Sequence, residues 1–157
     1  MRRASLALIA LIAFTSACSD QGKQFAATTD RIAGYVGTGL IIVDQQTSTG
    51  QMSPETGVAI VTALRAVNTL NGQVVDEAKK YVDENGNLKL TGDGQDKLLK
   101  ILDSSTVVVN GLINDERVLS LQPTQRQQIT LVAMNIGATI ASLTELVKTA
   151  KLAKGGK

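Results

Sequence analysis

The sequence predicts an all-α fold, a four-helix up-down-up-down bundle that follows a cleaved N-terminal signal. Three observations lead there. Apolar residues recur at steps of three and four through four separate stretches, the pattern of one buried helical face. Two of these stretches open on proline, at Pro54 and Pro123, whose fixed φ suits the first turn of a helix. The links between stretches are mostly short, which favours antiparallel neighbours.

The first stretch runs from about Gln24 to Gln46, with Phe25, Thr29, Ile32, Val36, Leu40 and Val43 on one face. Gly34, Gly37 and Gly39 each cost a helix about 1 kcal/mol against alanine. Leu40-Ile41-Ile42-Val43 also fits a short buried strand; helix is the reading kept. Ala33 and Gly37 are spaced to let a neighbouring helix approach closely. The glycine run from Gly34 to Gly39 matches no nucleotide-binding pattern, and no lysine follows it to meet a phosphate.

Thr47 to Ser53 is a polar link. Ser53-Pro54-Glu55 then starts the second helix: serine caps, proline takes the first turn, and glutamate meets the positive end of the dipole. Its seam is Ile60, Leu64, Val67, Asn71, Val74, Ala78 and Tyr81, alternating four and three as in a heptad. The expected end is near Glu84, with Asn85-Gly86 as the stop. Asn71 breaks the apolar run. Either it is a buried register device or helix rotation leaves it at the rim beside Gly72, and the rim is the reading preferred.

A polar connection spans Asp83 to Gly94. The third helix is expected from about Gln95, with Leu98, Leu102, Thr106, Val109 and Ile113 inward, fading after Glu116. Val107-Val108-Val109 is β-branched and locally ambiguous. The fourth opens at Gln122-Pro123 and carries Ile129, Ala133, Ile136, Ile140, Leu143, Val147 and Ala150. Lysines and then glycine end it at Lys154-Gly155-Gly156-Lys157. Measured from the two prolines, the second and fourth seams coincide, as a duplicated hairpin would give, or simply any two heptad helices with a shared start signal.

The leader reads Met1-Arg2-Arg3, an apolar run from Ala4 to Phe14, then Thr15-Ser16-Ala17-Cys18, and Cys18 is the only cysteine among 157 residues. Two cations, a short apolar core and small residues before a cut make a secretory signal. As a helix the apolar run is about 16 Å long, too short for a hydrocarbon core of roughly 30 Å. The segment resembles the signal and lipobox of bacterial lipoproteins at Ser16, Ala17 and Cys18, and departs from it at Thr15, where leucine is usual. The resemblance implies diacylglyceryl transfer to the Cys18 thiol, cleavage after Ala17 and often acylation of the new amine. Residues 1–17 are then signal peptide, 18–23 the lipidated cysteine and a polar tether, and 24–157 the helical domain. In proteobacteria, aspartate directly after the cysteine marks inner-membrane retention. Ser19 stands there, so the resemblance favours the outer membrane, facing the periplasm, in a Gram-negative source.

Composition narrows the function. The full chain has 16 Lys and Arg against 14 Asp and Glu. Arg2 and Arg3 leave with the signal, so the mature chain is formally neutral and lacks the basic field that attracts nucleic acid. After cleavage the aromatics are Phe25, Tyr35 and Tyr81, too few for base stacking. The absence of histidine excludes Ser-His-Asp and Cys-His nucleophilic sites, histidine zinc sites and His-ligated haem. No enzyme activity and no cofactor are expected.

Two weak site signals remain. Asp83, Asn85 and Asn87 stand at positions one, three and five of an EF-hand-like loop, but Leu88 takes the glycine position and Gly94 the bidentate glutamate position. The plain reading is a turn-rich link. Lys148, Lys151, Lys154 and Lys157 form a stripe suited to anionic lipid or an acidic partner, or simply to capping a helix end. The acid pairs Asp76-Glu77, Asp83-Glu84 and Asp115-Glu116 read as solvated faces. The expectation is a non-enzymatic envelope lipoprotein, a structural or protein-interaction module held to a membrane through Cys18, with an envelope protein as partner. The alternative is a periplasmic binding module for a small apolar ligand held between helices, with room left by Ala78, Ala133 and Ala150.

Overall fold

The computed structural model describes residues 20–150, and they are helical almost throughout. The elements are α1 (Asp20–Ser48), α2 (Pro54–Lys79), α3 (Gly92–Ile113), α4 (Glu116–Leu119) and α5 (Pro123–Thr149). Residues 40–43 and 107–109, which also fitted strands, lie inside α1 and α3. Their flanks carry the helical period without interruption, and that outweighs the local β-branched preference.

Each long helix packs on two others: α1 on α2 and α5, and α3 on α2 and α5, while α4 touches α2, α3 and α5. α1 runs antiparallel to both of its neighbours. The Asn71 side-chain amide bonds the Thr29 carbonyl near one end of the α1–α2 pair, and Thr47 lies against Gly57 near the other. Gln46 bonds Gln128 at one end of the α1–α5 pair, while Thr28 and Thr149 line a common groove at the other. Gln95 reaches the Val147 carbonyl between α3 and α5.

Between these helices lies one core, which takes nearly every expected seam position. Ile60, Leu64, Val67, Val74, Ala78, Ile129, Ala133, Ile136, Ile140, Leu143, Val147 and Ala150 are all buried. In α3 the face is turned slightly from the expected one. Ser105 and Leu112 are buried where Thr106 and Ile113 were expected, and Thr106 is exposed. The Ser105 hydroxyl is satisfied by donating to the Ile101 carbonyl, 3.0 Å away.

The close approach falls at a different glycine from the one expected. Ala33 is exposed and Gly37 faces open space. At Gly39 a Cβ would lie 2.9 Å from Leu64 Cδ1 and 3.0 Å from Val132 Cγ1, so α1 meets α2 and α5 there with no room for a side chain.

Element ends also differ from expectation, for one reason: apolar residues inside the links fold into the core. α2 ends at Lys79, short of Asn85-Gly86. The chain then turns back, with Val82 and Leu88 bridged antiparallel and Gly86 at φ +73° closing the turn. This tucks Leu88 and Leu90 under the helices at 8% and 0% exposure. Thr91 caps α3 three residues earlier than expected, its hydroxyl accepting from the Gly94 N–H. At the opposite end Met52 and Val118 are buried from the two other links, and Asp115 caps the short α4 that carries Val118.

Candidate functional site

The residues that carry the lipoprotein resemblance, Thr15 to Cys18, lie outside the described residues. α1 begins at Asp20, ahead of the expected start near Gln24. The helix is carried forward because Phe25 and Gly22 are buried against the body. Residues 20–23 are therefore helix rather than loose tether.

The end of the molecule that holds the start of α1 also holds the end of α5, and the two line a shallow groove. Gln24, Thr28 and Arg31 face Ser142, Glu145 and Thr149 across it. Of the lysine stripe, Lys148 is described, and it pairs with Glu145 at 3.0 Å; Lys151, Lys154 and Lys157 lie outside the described residues. Two of the last described α5 carbonyls are met from α3. Gln95 donates to the carbonyls of Val147 at 2.7 Å and Lys148 at 3.2 Å, fastening the end of α5 to the start of α3.

At the calcium candidate, Asp83 is committed to the turn itself. Its Oδ1 accepts from the backbone N–H groups of Asn85 and Asn87, both at 2.9 Å. Its Oδ2 faces the Lys89 ammonium at 2.8 Å, and the Asn87 amide nitrogen donates to both oxygens. With Lys89 first among the causes and the Asn87 contacts next, the carboxyl is held well below the usual carboxylate range. A cation would have to displace Lys89 and several N–H donors, and the positions that complete a calcium loop are Leu88 and Gly94. Among the described residues no three acidic or cysteine side chains converge on a point that could hold a metal.

Several other acids are also used locally. Asp76 pairs with Lys79. Glu77 faces Lys80 and accepts from the Tyr81 hydroxyl, and the Lys80 contact foremost lowers its pKa. Asp115 holds Arg117 through both guanidinium nitrogens that face it, at 2.9 and 2.7 Å, which keeps its carboxyl below the ordinary value. Burial raises Asp30. Asp76, Glu77 and Asp115 sit in separate local pairs on different elements.

The polar groups of the interior are more informative. Asn71 is 8% exposed, so it lies in the core seam and not at the rim. Its Nδ2 donates to the Thr29 carbonyl at 3.0 Å, while Oδ1 is buried with no partner among the described residues. Rotation of α2 toward the rim is prevented by Val67 and Val74, which bury on either side of it. Gln46 was not singled out in the sequence, yet it is 4% exposed and donates to Gln128 Oε1 at 2.6 Å. It continues the α1 seam one step past Val43, a period that was readable. Its partner on α5 was not.

The small residues read as room for a ligand are themselves buried: Ala78, Ala133 and Ala150 are 1%, 0% and 6% exposed. No protein-family model, curated protein or solved structure matches the chain.

Proposed function

We propose that the chain is a membrane-anchored bacterial envelope lipoprotein. Its four long helices form an up-down-up-down bundle that acts as a non-enzymatic structural or protein-interaction module. The observation that carries the reading is the order of residues at Thr15-Ser16-Ala17-Cys18, behind two arginines and a short apolar run. The helical conformation of residues 20–23 is compatible with it, since the described helix reaches to within two residues of the proposed lipid. The ring of helix contacts supports the bundle. The local engagement of Asp76, Glu77, Asp83 and Asp115 favours a module over an enzyme, since a general acid or base needs a carboxyl free to meet substrate.

Intact-mass measurement of the protein from the membrane fraction tests the anchor. The expected result is a chain that begins at Cys18 and carries lipid on it. One acyl chain anchors only reversibly. The two chains of a diacylglyceryl group should hold the protein through a high-salt wash, whereas an electrostatic tether through Lys148 to Lys157 would be screened. An unmodified Cys18, or a start elsewhere, returns the chain to an ordinary secreted helical domain.

A further inference from the structure

Helix α5 carries a second seam, on the side away from the core. Gln127, Leu131, Met134, Ala138, Ala141 and Glu145 follow one another at steps of four and three and are all exposed. Leu131 is 57% and Met134 58% exposed, less open than the isolated Ile41, Val58 and Val107 but three residues apart on one face. No charged residue occurs from Gln127 to Thr144, a length of about 27 Å as a helix. Composition and length alone would let α5 cross a membrane, yet its other face is packed into the core. Between Gln127 and Glu145 this face is apolar at heptad spacing and free of charge, and such a face fits another helix.

We propose that this outer face of α5 is a self-association surface, on which a second copy of the chain docks its own α5 in antiparallel register about the level of Ile136. Any seam of alternating four and three can be laid against itself in reverse; side-chain size and charge select the register here. Pairing about residue 136 sets Leu131 against Ala141 and Met134 against Ala138, each large side chain facing a small one. It sets Gln127, an amide donor, against Glu145, and Thr124 against Lys148. Parallel pairing sets Glu145 on Glu145 and Lys148 on Lys148 and leaves the alanines facing each other across a gap. Like charges in facing layers are destabilising, and size mismatch forfeits contact. This deepens the interaction-module reading by naming a first partner, and it rests on that reading but not on the lipid. A single helix seam is smaller than the roughly 800 Å² per partner of stable interfaces, so the pair is expected to be reversible. Because the start of α1 lies beside the end of α5, the pair would present its two N-terminal ends at opposite ends of the seam.

Disulfide trapping in the full-length chain tests this. Both copies carry Cys18→Ser, so introduced thiols are the only ones and the result is independent of the anchor. Chains with Leu131→Cys and with Ala141→Cys, distinguished by tag length, are mixed and mildly oxidised. The antiparallel register places 131 opposite 141 of the other copy and holds 131 from 131 by about 15 Å along the axis, beyond disulfide reach. The mixed 131–141 link should exceed the 131–131 link at least tenfold. Met134→Glu in both chains should abolish it while far-ultraviolet dichroism stays unchanged, because residue 134 is outside the core. Dominant 131–131 links, links indifferent to Met134→Glu, or no mixed link at about 100 μM chain would each overturn the proposal.

Discussion

Asn71 sits in the core with half of its amide satisfied. Its nitrogen has the Thr29 carbonyl, but its oxygen has nothing among the described residues. An unpartnered buried acceptor costs about 1–3 kcal/mol, and the Thr29 carbonyl keeps its helix bond without Asn71. Asn71→Leu is therefore expected to raise stability by about 1 kcal/mol, a rise in melting temperature of roughly 2–4 °C for a chain of this size. A lower melting temperature would show that the amide is better satisfied than its contacts indicate. Asp83 works in the opposite sense. Its folded pKa lies below the unfolded value of about 3.9, so its contribution is fully present above that pH and is lost as pH falls through the folded value. Asp83→Asn should lower the melting temperature at pH 7 and shrink the fall in stability on acidification below about pH 4. Equal acid sensitivity in the two proteins, measured by thermal melts from pH 7 to pH 2, would assign that fall to other carboxyls.

At the scale of the element, the two proline-started helices differ at their caps. Ser53 caps α2 with its hydroxyl, accepting from the Thr56 N–H at 3.2 Å. Gln122 precedes α5 in extended backbone with no side-chain cap bond. Removing a serine cap costs about 1 kcal/mol, so Ser53→Ala should destabilise by that order. Gln122→Asp should stabilise by a similar amount, since it supplies the missing acceptor and a negative charge at the positive end of the dipole. Urea unfolding of the pair decides it, and the expectation fails if both changes move the midpoint the same way. Gly39 is the element-level constraint on α1. A leucine there would meet Leu64 and Val132, and such overpacking costs about 1–3 kcal/mol. Gly37→Ala, which faces open space, should instead stabilise the helix by up to about 1 kcal/mol.

At the scale of the whole molecule, the core of the described residues closes on itself. Met52 and Val118 cover one end of the helices, and Leu88 and Leu90 the other. The core described draws on residues from Phe25 to Ala150, and the proposed lipid on Cys18 is expected to add nothing to this fold. Cys18→Ala should release the protein from the membrane fraction, or leave it there as an unprocessed precursor. Its helical dichroism and melting temperature should match those of the lipidated form in detergent. A large loss of helix in the variant would mean that the anchor takes part in the fold.

Much of this was legible in the sequence, because local rules decided it. Seam spacing placed the buried faces of α2 and α5 residue by residue, and Ser53-Pro54 and Gln122-Pro123 placed their starts. Where a feature depends on a partner distant in the chain, the sequence was silent or pointed elsewhere. Asn71 was placed at the rim because one helix alone does not show how far it is rotated; Thr29 on α1 and the burial of Val67 and Val74 decide that. Gly39 rather than Gly37 is the crossing point because Leu64 and Val132 happen to stand at its level. The link at 83–94 looked polar because five of its residues are Asp, Glu or Asn, yet Leu88 and Leu90 fold under the helices and end α2 early. The all-helical class, the inward seams and the lipobox resemblance at Cys18 are properties of neighbours along the chain, set by periodicity and by residue type. Helix rotation, close approach and the plugging of the two ends are properties of neighbours in space, and they exist only once the helices have packed.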